Sequence, residues 1–325
     1  MATNSKPRVL VTREVFTDVI DYLSQHFDVT SNQSDNLFTP ATLTPALADK
    51  TGAVIAITDR IDADVLAKSP HLKAVCNIAV GYNNIDVPAC SARKVMVTNT
   101  PGVLDETTAD LTWSLILATA RRVTEAEAWL RRGEWDGWKL KQFLGVDVHG
   151  ATLGIIGMGR IGQAVARRAR GFDMNILYYN RRRLDENTER KYAATYAPMD
   201  ELLARADIVT LHIPYSPETH HLIGEAQLAR MKPTALLINV ARGGVVDDVA
   251  LIKTLEANRI AGAGLDVFEG EPKLNAGFLK LKNVVLTPHI GSSSEATRRK
   301  MVLTAAQNLV AALTIGRPPN WVNPW

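Results

Sequence analysis

Three side chains in the last third of this chain are of the types that carbonyl chemistry needs. Arg242 lies in Asn239-Val240-Ala241-Arg242-Gly243-Gly244, Glu271 follows the run Gly264–Phe268, and His289 follows Val284–Thr287 in Pro288-His289-Ile290-Gly291. Each comes just after an apolar run fit for a central strand, so each is expected at a strand's carboxyl end, where α/β sheets keep their ligands. A guanidinium can hold a carboxylate and a reacting carbonyl together. An imidazole donates a proton near neutral pH, and a nearby carboxylate fixes its tautomer and favours its charged form. Singly, a surface arginine, a solvated glutamate and a loop histidine would read the same way. Their shared position marks them as a catalytic set.

Such chemistry needs a hydride donor, and Ala151–Arg183 offers a place for one. Thr152–Ile156 reads as a buried strand, Arg160–Phe172 as a helix and Met174–Tyr179 as a second strand. Between the first two lies Gly157-Met158-Gly159-Arg160-Ile161-Gly162. Gly157 would allow the tight turn, Gly159 a close approach of pyrophosphate, and Gly162 close helix–strand packing. The first N–H groups of the helix, at Arg160 and Ile161, would then meet the phosphates. A Gly-x-Gly-x-x-Gly alone is an ordinary turn; with a strand before it and a helix and strand after, it reads as a dinucleotide site.

The second strand ends in Asn180-Arg181-Arg182-Arg183. NAD sites usually place a carboxylate here to accept from the ribose 2′-hydroxyl, and that charge would repel the 2′-phosphate of NADP. A neutral Asn180 followed by Arg181 and Arg182 favours NADPH, with NADH as the lesser possibility; Arg183 has the look of a solvated loop residue.

The elements that must position these groups follow from the rest of the chain. At 325 residues, two domains are expected, and 46% hydrophobic with 22% charged residues is ordinary globular composition. Net charge is +3, from 37 Lys+Arg against 34 Asp+Glu, which gives no basic face for nucleic acid. No apolar run is long enough for a membrane span, and Met1–Arg8 has no signal-peptide pattern. Two cysteines, Cys76 and Cys90, make neither a disulfide framework nor a metal site, and with them a reducing cytoplasm is expected.

Before the glycine loop, strands at Arg8–Thr12, Ala53–Ile57, Leu72–Ile78 and Val95–Asn99 alternate with helices at Val15–Phe27, Ala63–Ser69 and Val87–Arg93. After it come strands at Asp207–His212, Thr234–Val240, Ala261–Val267 and Val284–Thr287, about six in all for the second sheet. The expectation is two doubly wound parallel-sheet domains of α/β class: a flavodoxin-like substrate domain and a Rossmann dinucleotide-binding domain. Glu106–Arg132 reads as one long helix running from the first to the second, and Ser293–Ile315 as a helix that returns to the first. Trp129, Trp135 and Trp138 read as packing or a subunit contact.

The motifs at Gly157–Gly162, Ile238–Asp247, Gly264–Pro272 and Thr287–Gly291 resemble the D-isomer-specific 2-hydroxyacid dehydrogenases, in the family's order and across nearly the whole chain. The resemblance is closest to the bacterial glyoxylate/hydroxypyruvate reductase and 2-ketogluconate reductase branch. It implies that Arg242 binds the substrate's carboxylate and carbonyl, that His289 is the acid/base and that Glu271 is its partner. It implies backbone N–H groups of Val80 and Gly81 on the carboxylate, and Thr108, Val240, Ala241, Asp266, His289 and Gly291 at the cofactor. It implies a discontinuous substrate domain, residues 1–103 plus 292–325, around a dinucleotide-binding domain of residues 104–291. A homodimer is implied as well, and no metal. Glu271 stands where the related formate dehydrogenases carry Gln, which argues against formate. The chain stops at Trp325, without the regulatory tail of many phosphoglycerate dehydrogenases. Alternatives are an NAD-linked D-lactate or phosphoglycerate dehydrogenase, and a corepressor-like protein that uses the same fold as a nucleotide-gated binding module.

Overall fold

Short apolar strands joined by helices are suited to parallel pairing, with both faces of the sheet covered. The computed structural model describes residues 6–325, and they divide into two compact units: residues 6–104 with Ser293–Trp325, and Asp105–Ser292. Residues 1–5, part of the stretch without a signal-peptide pattern, lie outside the described residues.

The first unit holds β1 (Arg8–Val11), β2 (Asp28–Ser31), β3 (Gly52–Ile55), β4 (Ala74–Asn77) and β5 (Met96–Thr98), all parallel in the order β2-β1-β3-β4-β5. The helix Glu295–Thr314 covers β3 and β4 from the far end of the chain. It packs so tightly that a Cβ on Gly52 would lie 2.7 Å from Leu309. The tail then seals the sheet edge: Asn323 Oδ1 accepts from Val97 N–H at 2.8 Å, and its Nδ2 donates to Val95 O at 3.0 Å. Cys76 and Cys90 are buried free thiols that burial pushes up to about 12, so they are inert.

The second unit holds β6 (Thr152–Ile156), β7 (Asn175–Tyr179), β8 (Ala194–Tyr196), β9 (Ile208–Leu211), β10 (Leu236–Asn239), β11 (Gly262–Leu265) and β12 (Val284–Leu286). They are parallel in the order β12-β11-β10-β9-β6-β7-β8, so the strand order reverses between β6 and β9. That reversal is where a doubly wound sheet opens a crevice at its carboxyl edge. The seventh strand, one more than the sequence suggests, is β8: three residues at the sheet edge with one buried, too short to make an apolar run.

The long helix expected over Glu106–Arg132 is two, Asp105–Ala120 and Val123–Arg131, both within the second unit. Arg122 breaks it with φ +53°, its guanidinium held by Glu125. The Ala120 carbonyl, freed from the helix, accepts Val146 N–H at 3.0 Å. Trp113 fastens the first of these helices to the helix Arg160–Ala169, stacking on Phe172 and donating from Nε1 to Val165 O. The start of Arg160–Ala169 sits close on the end of β6, where a Cβ on Gly162 would lie 2.3 Å from Gly157 O.

Candidate active site

The turn after β6 is built for an approaching anion. Gly157 has φ +99°, and a Cβ there would lie 2.7 Å from the His212 carbonyl, so no other residue fits without displacement. Gly159 is the N-cap of Arg160–Ala169 and no side chain caps the helix; a Cβ on Gly159 would meet nothing within 4 Å. Uncapped N–H groups facing open space suit a pyrophosphate. The residues therefore fit the phosphates of a dinucleotide. Arg160 lies near Asp105, where its charge opposes the upward push that burial gives that carboxyl. Ile161 is half-buried on the same turn.

The loop after β7 sorts its polar residues. Asn180 Oδ1 accepts Met158 N–H at 2.7 Å, so this side chain braces the glycine turn. Arg183 makes two 2.8 Å bonds to Glu189, whose carboxyl is drawn down to about 2 by Arg183 and the Tyr178 hydroxyl. Tyr178 in turn accepts Leu184 N–H at 2.9 Å and so anchors the loop. Arg183 is a structural ion pair, whereas Arg181 and Arg182 have no hydrogen bond or salt bridge among the described residues, though the Arg181 charge helps draw the Glu218 carboxyl down.

The arginine, glutamate and histidine converge on the carboxyl ends of β10, β11 and β12. Asn239, buried at the end of β10, folds back on the next turn: Oδ1 accepts Ala241 N–H at 3.0 Å and Nδ2 donates to Arg242 O at 3.2 Å. Val240 and Ala241 are buried, and Arg242 Nη1 donates to Ala241 O at 2.7 Å. Burial draws the Arg242 guanidinium below its usual range while the charge of Glu271 opposes that, and an arginine so placed stays charged. A Cβ on Gly243 would lie 1.8 Å from Phe268 O, so the arginine turn presses directly on the backbone that leads to Glu271.

Glu271 bridges two partners: Oε1 accepts Phe268 N–H at 2.8 Å, and Oε2 meets His289 Nδ1 at 2.8 Å. Burial pushes its carboxyl up, but His289, the Phe268 N–H and Arg242 together pull it lower, so it is ionised at neutral pH. With Nδ1 committed to Glu271, Nε2 is the atom of His289 left to exchange a proton. His289 sits at φ +53°, a conformation held from behind by Asp266. The buried Asp266 carboxylate accepts from Thr287 Oγ1 at 2.7 Å and from the N–H groups of Ile290 and Gly291, each at 2.8 Å. Thr108 is buried beside Gly291 and Asp266. Asp266 therefore shapes the histidine loop with three of its roughly four acceptor positions, a role its motif gives no sign of.

In the other unit, the N–H groups of Val80 and Gly81 have no acceptor among the described residues, while their carbonyls accept from Asn99 and Asn77 at 2.8 Å each. Arg60 pairs with Asp62 and is largely exposed. Sequence reasoning also passed over His212 at the end of β9. Both of its ring nitrogens are buried without a partner among the described residues, and burial draws it down to about 3, so it is a neutral imidazole beside the glycine turn.

Known proteins resemble this chain over nearly its whole length. The family model described as the NAD binding domain of D-isomer specific 2-hydroxyacid dehydrogenases matches residues 113–291. A glyoxylate reductase of Thermococcus gammatolerans is 48% identical over 322 residues, 98% of this chain and 96% of the relative. The crystal structure of a glyoxylate reductase from Paecilomyes thermophila superposes with a TM-score of 0.88 at 32% identity, over 98% of this chain and 99% of that one. An NADPH-dependent glyoxylate/hydroxypyruvate reductase from Sinorhizobium meliloti, solved with citrate, gives 0.85 at 33% identity over 98% of each chain. With its glycine turn, its arginine, glutamate and histidine at three adjacent strand ends, and relatives that match it from end to end, this chain belongs to the D-isomer-specific 2-hydroxyacid dehydrogenase family.

Proposed function

We propose that this protein reduces small 2-keto acids to D-2-hydroxy acids with NADPH as preferred donor and NADH as the weaker one. Glyoxylate and hydroxypyruvate are the first candidates, with 2-ketogluconate a further one. The observation that carries the reading is the His289–Glu271 pair at 2.8 Å with the Arg242 charge beside it. The cofactor, when bound, supplies a hydride to the carbonyl carbon. Arg242 orients the substrate through its carboxylate and polarises the carbonyl. His289 delivers a proton from Nε2 to the carbonyl oxygen, and ionised Glu271 steadies the imidazolium and holds its ring in place. In the same reading Val80 and Gly81 give N–H groups to the carboxylate, and Thr108, Val240, Ala241, Asp266 and Gly291 line the nicotinamide end.

NADPH is favoured by charge accounting at the end of β7. Glu189 neutralises Arg183, which leaves Arg182, and Arg181 whose charge also draws the Glu218 carboxyl down, as the cations to meet a 2′-phosphate. The Sinorhizobium meliloti relative has also been solved with NADP and malonate, which supports this choice. We assign the dinucleotide to the unit Asp105–Ser292 and the substrate-binding role to the other. A homodimer fits the exposed Trp135, Trp138, Leu140 and Leu144, since so much apolar surface together marks a contact. No helix among the described residues is long and apolar enough to cross a membrane, and a cytoplasmic setting suits the two buried thiols.

The test is NADPH absorbance against glyoxylate, hydroxypyruvate, 2-ketogluconate, pyruvate and phosphohydroxypyruvate, repeated with NADH. Turnover of the first two with NADPH is expected. Turnover with pyruvate or phosphohydroxypyruvate alone, or a clear preference for NADH, would overturn the reading.

A further inference from the structure

Arg242 and Glu271 stand on loops from adjacent strands, and a third loop ties those two together. His221 has φ +50°, and its N–H donates to Gly244 O at 2.7 Å, two residues past Arg242. Its ring reaches the other way: Nε2 meets Glu269 Oε2 at 3.1 Å, two residues before Glu271. Nδ1 faces Asp247 Oδ2 at 3.9 Å. Glu269 N–H donates to Asp248 Oδ2 at 3.1 Å, which returns the tie to the helix that follows the arginine turn. The His220 ring stacks on His221 at 3.8 Å and keeps it from swinging out.

His220, His221 and Glu269 also have the residue types of a metal site, with ligand atoms within 4.8 Å of one another. The geometry argues otherwise. The two rings lie 25° from parallel, so their lone pairs do not converge on one point. His220 Nδ1 is turned to the Tyr215 hydroxyl at 3.3 Å.

We propose that His221 is a positioning residue for the reaction, clamped by Glu269, and that this clamp sets the spacing between the Arg242 turn and the Glu271 loop. At Gly243 the two loops touch backbone to backbone, so a loop freed from the clamp would press its drift straight onto the other. The clamp acts on side chains that must hold a carboxylate and a proton donor in register, and a small misplacement there is costly. It rests on the proposed roles of Arg242 and Glu271.

The experiment is steady-state kinetics with hydroxypyruvate, alongside fluorescence titration of NADPH. His221→Ala should lower kcat/KM about ten- to a hundredfold, leaving NADPH Kd within twofold of wild type, because the glycine turn is untouched. Glu269→Ala should match it, and the double variant should be no worse than either single one. His221→Gln, whose amide can still donate to Glu269, should recover most of the loss. A merely structural role would lower Tm while leaving kcat per NADPH-binding site unchanged, and that result overturns the clamp. If Arg242→Lys and His289→Ala abolish turnover while His221→Ala stays within twofold of wild type, the clamp alone fails. If those two variants keep full activity, the site assignment fails and takes the clamp with it. Inhibition by stoichiometric Zn²⁺ that His221→Ala removes would make the trio a metal site and overturn the clamp.

Discussion

The turn after β6 and the turn after β10 lie in one sheet, and in the proposed reading both serve the site by opposite means. The first offers backbone: glycines clear the space, and uncapped N–H groups at a helix start face it. The second offers side chains: Asn239 folds the turn so that Arg242 stands beside a glutamate and a histidine brought from two other loops. A backbone site tolerates change in side chains but not in conformation. A side-chain site has the reverse tolerance.

The largest expected effects break the side-chain end. His289→Ala should cost turnover about 10²–10⁴-fold, and Arg242→Lys about 3–4 kcal/mol in kcat/KM, since lysine cannot reproduce a two-pronged hold on a carboxylate. NADPH titration of both variants should give a Kd near that of wild type. A parallel loss of cofactor affinity would show that the two ends are not separable.

Gly157→Ala is the matching break at the backbone end. Alanine must adopt φ +99° against the His212 carbonyl, which should cost about 1–3 kcal/mol in stability and cofactor binding. Measured at saturating NADPH, kcat should recover towards wild type. A kcat that stays low would mean that the turn also positions the reacting atoms.

A third change sharpens the comparison within the cofactor end, where a side chain adds to the backbone. Asn180→Asp with Arg181→Ala should shift the NADPH/NADH ratio of kcat/KM towards NADH by about 1.5–3 kcal/mol, the value of a charge-assisted contact. An unmoved ratio would assign Arg181 to solvent.

The smallest effect concerns stability alone. Burial, joined by the charges of Glu269 and Asp247, raises the Asp248 carboxyl from 3.8 to about 6. The folded state thus holds this proton where the unfolded chain has released it, so stability falls as pH rises from about 4 to 6 and stays lower above. Asp248→Asn keeps an acceptor for Glu269 N–H and removes that loss. Thermal unfolding should show the variant stabilised by about 1–2 kcal/mol at pH 8 and indistinguishable at pH 4; equal stability at pH 8 would sink the assignment.

The same contrast explains what the sequence made legible. The glycine turn has fixed spacing within one βαβ unit, so both the motif and its flanking elements can be read locally. The strands of the second sheet are apolar runs for the same reason, except β8, whose three residues at the edge bury only one. Arg242, Glu271 and His289 stand out because they follow strands. The groups that hold them are not visible, since Asp266, Asn239 and His221 act through contacts whose partners are set by tertiary folding. The break at Arg122 was hidden by good helical periodicity on either side of it. Its cause, Ala120 O turning to Val146, lies well outside the helix.

The tail that seals β5 with Asn323 and the helix laid across β3 and β4 have a consequence in time. A chain emerging from the ribosome makes the first sheet early but the helix that covers it last. The segment Asp105–Ser292 can complete its own core as soon as it is out, whereas the sheet begun at Arg8 waits for that helix with one apolar face covered only in part, by the helix Thr17–His26. That interval is when a holding chaperone would find the nascent chain, and a ribosome stalled shortly before Glu295 would strand the unit that was started first.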